Sequence, residues 1–185
     1  MHERLIIAAK KSGVTPEQFQ AALEYPGTEL EDEVAGTFLR FSKRASGVFT
    51  PVAARETGLV PDWCEKIEKD ELEGDVELAK LDFTYCPVHK GEEYVTGDTM
   101  LARAGKVVAI GSLGLGKIIL DAQKEGKEIV PADVQVVILP RTILRYRIGY
   151  RHVPYLYRYG AQLVLNFIWL GNNFDRDGRL VRPRE

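Results

Sequence analysis

From Pro131 to Pro183 the chain is written in short runs of apolar and aromatic residues, broken at close intervals by turn signals. That pattern commits the C-terminal third to sheet. "VQVVILP", "TILRYRIG", "PYLYRY", "AQLVLNFIWLG" and "GRLVRP" each read as a strand, rich in the β-branched and aromatic residues that suit a pleated, half-buried surface. Turn signals fall at "RIGYRH", "RYGA" and "DRDG", and Asp177-Gly178 is a favoured hairpin pair. Strands joined this tightly predict an antiparallel β-meander that runs to the C-terminus.

Upstream the periodicity changes. "DVELAKLDFTY" sets Val76, Leu78, Leu81, Phe83 and Tyr85 near strand alternation, with one slip at Ala79-Lys80. "GDTMLARAGKVVAIG" carries helical spacing through Met100, Leu101, Ala104, Val107 and Val108, while "KVVAI" alone fits a strand. "LGKIILDAQKEGKEI" reads as a helix running into Gly126.

The N-terminal third reads as helices, and a repeat organises it. "AAKKSGVTPEQFQAALE" from Ala8 aligns with "AARETGLVPDWCEKIEK" from Ala53. Each unit has a small residue, a glycine turn at Gly13 or Gly58, and a second segment opened by Pro16 or Pro61. The order resembles a helix-turn-helix, in which the small residue lets two helices cross and the glycine supplies the turn. The second segments are acidic or mixed: Glu17, Gln18, Gln20 and Glu24 in one, Asp62, Glu65, Lys66, Glu68 and Lys69 in the other. A helix that reads DNA needs Arg, Lys, Asn or Gln toward bases and phosphates, so these hairpins suit packing or protein contact better. The expected fold is therefore α+β: residues 1–70 a helical region with two helix-turn-helix-like hairpins, residues 71–185 a mixed domain ending in the antiparallel meander.

Composition supports a folded chain. Apolar residues make up 45 % and charged residues 28 % of the 185, enough for a core without disulfides or a structural metal. No apolar run approaches the ~20 residues of a membrane span. "MHERLIIAAKKSG" lacks the features of a signal peptide. The two cysteines, Cys64 and Cys86, form no disulfide framework, which suits a reducing cytoplasm.

Charge is unevenly spread. The net value is −2, yet residues 141–185 hold nine basic and three acidic residues, and all nine basic ones are Arg. Arg makes planar, bidentate and stacked contacts that Lys cannot. Within "RYRIGYRHVPYLYRYG", Arg145, Arg147, Arg151 and Arg158 stand among Tyr146, Tyr150, Tyr155, Tyr157 and Tyr159, with no acid between them. Alternation predicts that Arg145, Arg147 and Arg151 share one side of a strand pair, and that Tyr155, Tyr157 and Tyr159 form a row facing opposite to Leu156 and Arg158. Such a surface suits unstacked bases or a protein partner, and a homo-oligomer is compatible with it.

Other motifs carry less. "GSLGLGK" matches a phosphate-binding loop at Gly111, Gly114, Gly116 and Lys117, but Ile118 stands where a magnesium-binding Ser or Thr belongs. Cys86 and His89 have the spacing of half a zinc site, with no second half. Gly111-Ser112 with Asp133 and Gln135 lacks the paired carboxylates of a nucleotidyltransferase. The sequence thus predicts a small cytoplasmic binding protein, not an enzyme. It needs no cofactor or metal, engages single-stranded nucleic acid or a protein through the Arg/Tyr sheet, and stays off the membrane. The alternative is a nucleotide- or phosphate-binding enzyme using residues 111–117.

Overall fold

The computed structural model describes residues 47–184. The chain divides into two compact units, Met1–Phe49 and Thr50–Glu185. Strand β1 (Val48–Phe49) closes the first, and the other described elements belong to the second. The first helix-turn-helix-like hairpin, residues 8–24, lies outside the described residues.

The second unit begins with a single 3-10 turn, Ala54–Glu56, followed by β2 (Cys64–Asp70). The helix-turn-helix expected over residues 53–69 is therefore overturned, and with it the helical region reaching residue 70. The repeat does make a tight turn. Gly58 has φ +68°, and the buried Thr57 donates its hydroxyl to Ala54 O at 2.6 Å. After Pro61, however, one turn closes on Cys64 N and the chain extends. "CEKIEKD" does hold a helix-like Glu65–Lys69 pair, a preference worth only tenths of a kcal/mol. Long-range pairing wins, because this segment forms an antiparallel ladder with β7 (Thr142–Tyr146).

The remaining strands are β3 (Val76–Glu77), β4 (Leu81–Tyr85), β5 (Val95–Thr96), β6 (Val136–Ile138), β8 (Arg151–Tyr159), β9 (Gln162–Trp169), β10 (Asn173–Phe174) and β11 (Gly178–Pro183). The slip at Ala79-Lys80 is a 3-10 turn, Leu78–Lys80, between β3 and β4. Seven strands build one sheet in the order β2-β7-β8-β6-β11-β4, with β9 added to β8.

Strand β8 is the spine. Along one edge it carries β9 for its whole length, through the two-residue Gly160-Ala161 turn. Along the other it carries β7 at residues 151–152 and β6 at residues 155–157, so β6 and β7 share that edge end to end. Pro154 lies at the junction. It has no N–H to give, and its carbonyl accepts from Leu139 N at 2.9 Å. A proline is tolerated inside this central strand because the neighbouring ladder is interrupted there.

The sheet is mixed, which corrects the antiparallel meander. Strands β7, β8 and β9 do follow one another antiparallel, but β11 runs parallel to β6. After β9 the chain leaves the sheet, because β10 pairs with β5 in a separate two-stranded ribbon. It re-enters at β11 between β6 and β4, so Asp177-Gly178 links two different sheets rather than closing a hairpin.

Among the described residues, one helix covers each face. Helix α1 (Gly97–Lys106) buries Met100 and Ala104 against Ile138, Ile143, Val153 and Leu180. Helix α2 (Leu113–Lys124) lies on the opposite face, where Thr142 Oγ1 accepts from Leu113 N at 2.8 Å. Under it Leu144 and Leu156, on alternate positions to Ile143 and Val153, are fully buried. Among the described residues no helix is long and apolar enough to cross a membrane.

Helix α2 sits close because its glycines allow it. A Cβ at Gly114 would stand 2.2 Å from Val52 O, and one at Gly116 would stand 2.6 Å from Leu139 Cδ1. Gly105 in α1 meets nothing within 4 Å. Two alanine substitutions should therefore diverge in urea unfolding. Gly114→Ala is expected to destabilise by roughly 1–3 kcal/mol through overpacking, while Gly105→Ala should be neutral or stabilising by up to about 1 kcal/mol.

Candidate protein-interaction surface

The glycine-rich turn already holds an anion. Glu73, with 7 % of its surface exposed, places its carboxylate at the start of α2. Gly111 N and Ser112 N donate to Oε1 at 2.6 and 2.7 Å, and Ser112 Oγ donates to Oε2 at 2.6 Å. Ser112 Oγ also accepts from Leu115 N, as an N-cap should. Thr142 Oγ1 takes Leu113 N and donates to Asp70 Oδ1, while Asp70 Oδ2 accepts from Ala54 N. An internal carboxylate thus satisfies the positive helix end that would attract a phosphate. Gly111 has φ +133°, while Gly114 and Gly116 serve the close packing described above. Lys117 turns along the helix to Asp121 at 2.5 Å.

The Arg/Tyr stretch divides between the two sides of the sheet. Arg145 and Arg151 are cross-strand neighbours, as alternation predicts. Both converge on one acid, Glu68 of β2. Arg145 reaches Oε2 through Nε and Nη2 at 2.9 and 2.5 Å, and Arg151 Nε stands 2.8 Å from Oε1 without alignment to donate. Arg151 also donates to Asp98 at the start of α1, at 2.8 Å. Burial pushes the Glu68 carboxyl up, but the two guanidiniums outweigh it and hold the group below the usual range.

Arg158 faces the other way and spends its donors on the carbonyls of Val130, Pro131 and Val134 at 3.0, 3.0 and 3.3 Å. It staples the 130–134 segment to β8. Arg147 is exposed and makes no hydrogen bond or ion pair among the described residues. One of the four arginines is therefore uncommitted.

The tyrosines divide too. Tyr155 and Tyr157 are half-buried neighbours with ring centroids 5.9 Å apart, and burial raises the Tyr155 hydroxyl, helped by Tyr157. Tyr159, in line with them, is 75 % exposed. Tyr146 and Tyr150 join a different group.

That second group is the surface the sequence concealed. Trp63, just before β2, stacks on His152 at 4.9 Å, on the edge of Phe167 at 5.4 Å and on Tyr146 at 5.9 Å. Trp169 pairs with His152 across the strands and contacts Tyr150 at 5.0 Å. Tyr150 and Trp169 are 49 % and 41 % exposed, and Ile148 beside them is 67 % exposed. Burial lowers the His152 pKa, so the imidazole is neutral at pH 7 and behaves as another flat ring. Pro61-Asp62 next to Trp63 was the available signal, since it marks a turn that could as well open a strand as a helix.

The remaining candidates are separate. Cys86 is a buried thiol pushed up to about 11 by burial and by the Asp175 carboxylate. His89 is exposed and uses its backbone N to donate to Glu92. Among the described residues no cluster of His, Cys, Asp or Glu could hold a metal ion. No family model matches the chain, and neither a curated protein nor a solved structure gives a match.

The carboxylate at the head of α2 has a measurable consequence. Glu73→Ala strands two amides and a hydroxyl in a buried place and should destabilise by roughly 2–4 kcal/mol in chemical denaturation. A loss under about 0.5 kcal/mol, the ordinary surface value, would show that water replaces the carboxylate freely.

Proposed function

We propose that this chain is a non-catalytic, cytoplasmic binding module whose partner is a protein, docked on the aromatic end of the sheet. The observation that carries the reading is the contiguous set of Trp63, Tyr146, Tyr150, His152, Phe167 and Trp169, partly or largely open to solvent. Large, stiff, amphipathic rings give contact area at little entropic cost, and Trp and Tyr dominate the energetic centres of protein interfaces.

The charge distribution favours a protein over nucleic acid. A polyanion needs guanidiniums free to replace counterions. Arg145 and Arg151 already answer Glu68 and Asp98, and Arg158 answers three carbonyls. Three of the four arginines of the stretch are spent within the fold, Arg147 alone of them stays exposed and unpaired among the described residues, and the uncharged rings make up most of the open surface.

Two measurements test this together. Labelled single-stranded RNA and DNA titrated at low salt should give no saturable binding. p-Benzoylphenylalanine placed at position 150 or 169 should form protein adducts in cells, and at Tyr94, which is equally exposed at 50 %, should not. Salt-sensitive nucleic-acid binding that Arg147→Ala abolishes would overturn the reading. Adducts no more abundant at 169 than at 94 would also overturn it.

A further inference from the structure

Strand β9 is an open edge of the sheet that the described residues build. Among the described residues it pairs with β8 alone. Its eight residues, "QLVLNFIW", include no charge and no proline. Folded proteins ordinarily guard such an edge with Lys, Pro, a bulge or a covering loop.

The direction of each backbone group follows from the bonds around it. Arg151 O accepts from Leu170 N, on the β9 side of β8. Pro154 O and Arg158 N bond toward β6 instead. Residues 153, 155 and 157 therefore point their backbone groups at β9, and their partners Ile168, Asn166 and Val164 point back. Leu163, Leu165, Phe167 and Trp169 must point outward.

Each end of that outward row is closed. At Leu163 the Gln123 side chain of α2 imitates a strand: its Nε2 donates to Leu163 O and its Oε1 accepts from Leu163 N. At Trp169 the carbonyl accepts from Asn172 N as the chain turns away. Between them Leu165 carries no such guard, and Phe167 N is held only by the neighbouring Asn166 side chain. The open template therefore lies between Leu163 and the Trp169 carbonyl, centred on Phe167.

We infer that this template takes a second copy of itself: two chains pair antiparallel through β9, about a two-fold axis at Phe167. The inference rests on reading this surface as a protein-contact surface and names its partner. A two-fold pairing sets Phe167 opposite Phe167 of the other copy, and Leu165 opposite Trp169. Aromatic and aliphatic cross-strand pairs of this kind are the stabilising ones. The strand has no charge to repel its twin and none that selects an unlike partner. The pairing also closes on itself, so it gives a dimer and not a fibre. Asn166 Oδ1 gives up Phe167 N–H to the facing carbonyl as the two strands join.

Sedimentation equilibrium of the purified full chain, from about 1 μM to 1 mM, tests this across the range of weak to moderate affinities. The wild type should shift from one chain mass toward two. Phe167→Lys and Phe167→Glu each place like charges across the axis, and each should weaken self-association by about tenfold or more. An equimolar mixture of the two should recover the dimer, because the charges then oppose. That recovery separates lost pairing from lost folding, since both variants lose the ring contact with Trp63. A wild type that stays monomeric at the highest concentration overturns the inference, and so does a dimer that both variants leave unchanged. Adducts to a different protein at position 169, with the purified chain monomeric, would sink the self-pairing and leave the binding-module reading standing.

Discussion

The buried carboxylate of Glu73 sets the architecture of this fold. Three hydrogen bonds from Gly111 and Ser112 hold it at the head of α2, at 2.6 to 2.7 Å. It comes from the segment linking β2 to β3, so the contact joins chain positions nearly forty residues apart. A buried acid is costly unless it is fully hydrogen-bonded, and a helix N-terminus is costly to bury unless an acceptor meets its amides. Each group answers the other's requirement. Thr142 and Asp70 extend the same network to β7 and β2, which fixes where α2 lies on the sheet.

The same economy governs the surface charges. Read as a string, residues 141–185 are strongly basic; folded, their arginines are distributed. Glu68 sits between Arg145 and Arg151, Asp82 meets Arg182 at 2.7 Å, and Arg179 lies 3.6 Å over the Tyr85 ring. The acids come from the acidic half of the sequence, brought alongside by sheet pairing. Among the described residues, what remains unanswered on the outside of this region is Arg147, the aromatic group at the end of the sheet that α2 does not reach, and the bare edge of β9.

Much of the sheet was legible in the sequence because alternation is local. The strands from 136 to 183, the helix ending before Gly126, and the shared side of Arg145 and Arg151 all follow from neighbours a few residues apart. Two failures have one cause. Residues 64–70 carry helix-compatible charge spacing, and only β7, more than seventy residues away, makes them a strand. The β6–β11 parallel contact likewise depends on β10 leaving to pair with β5. Glu73 was hidden among the acids of "DELEGDVE", where nothing local marks one carboxylate as buried. The aromatic surface was hidden for the same reason, since Trp63 meets Phe167 and His152 only through the sheet.

Native-state hydrogen exchange at Gly111 and Ser112 tests the central claim most directly. If Glu73 is the permanent acceptor for these amides, both exchange only through large openings and show protection close to that of the buried β8 ladder. Exchange at both amides as fast as in an exposed turn, with β8 still protected, would mean that the carboxylate does not hold them and that the account of how α2 is placed is wrong.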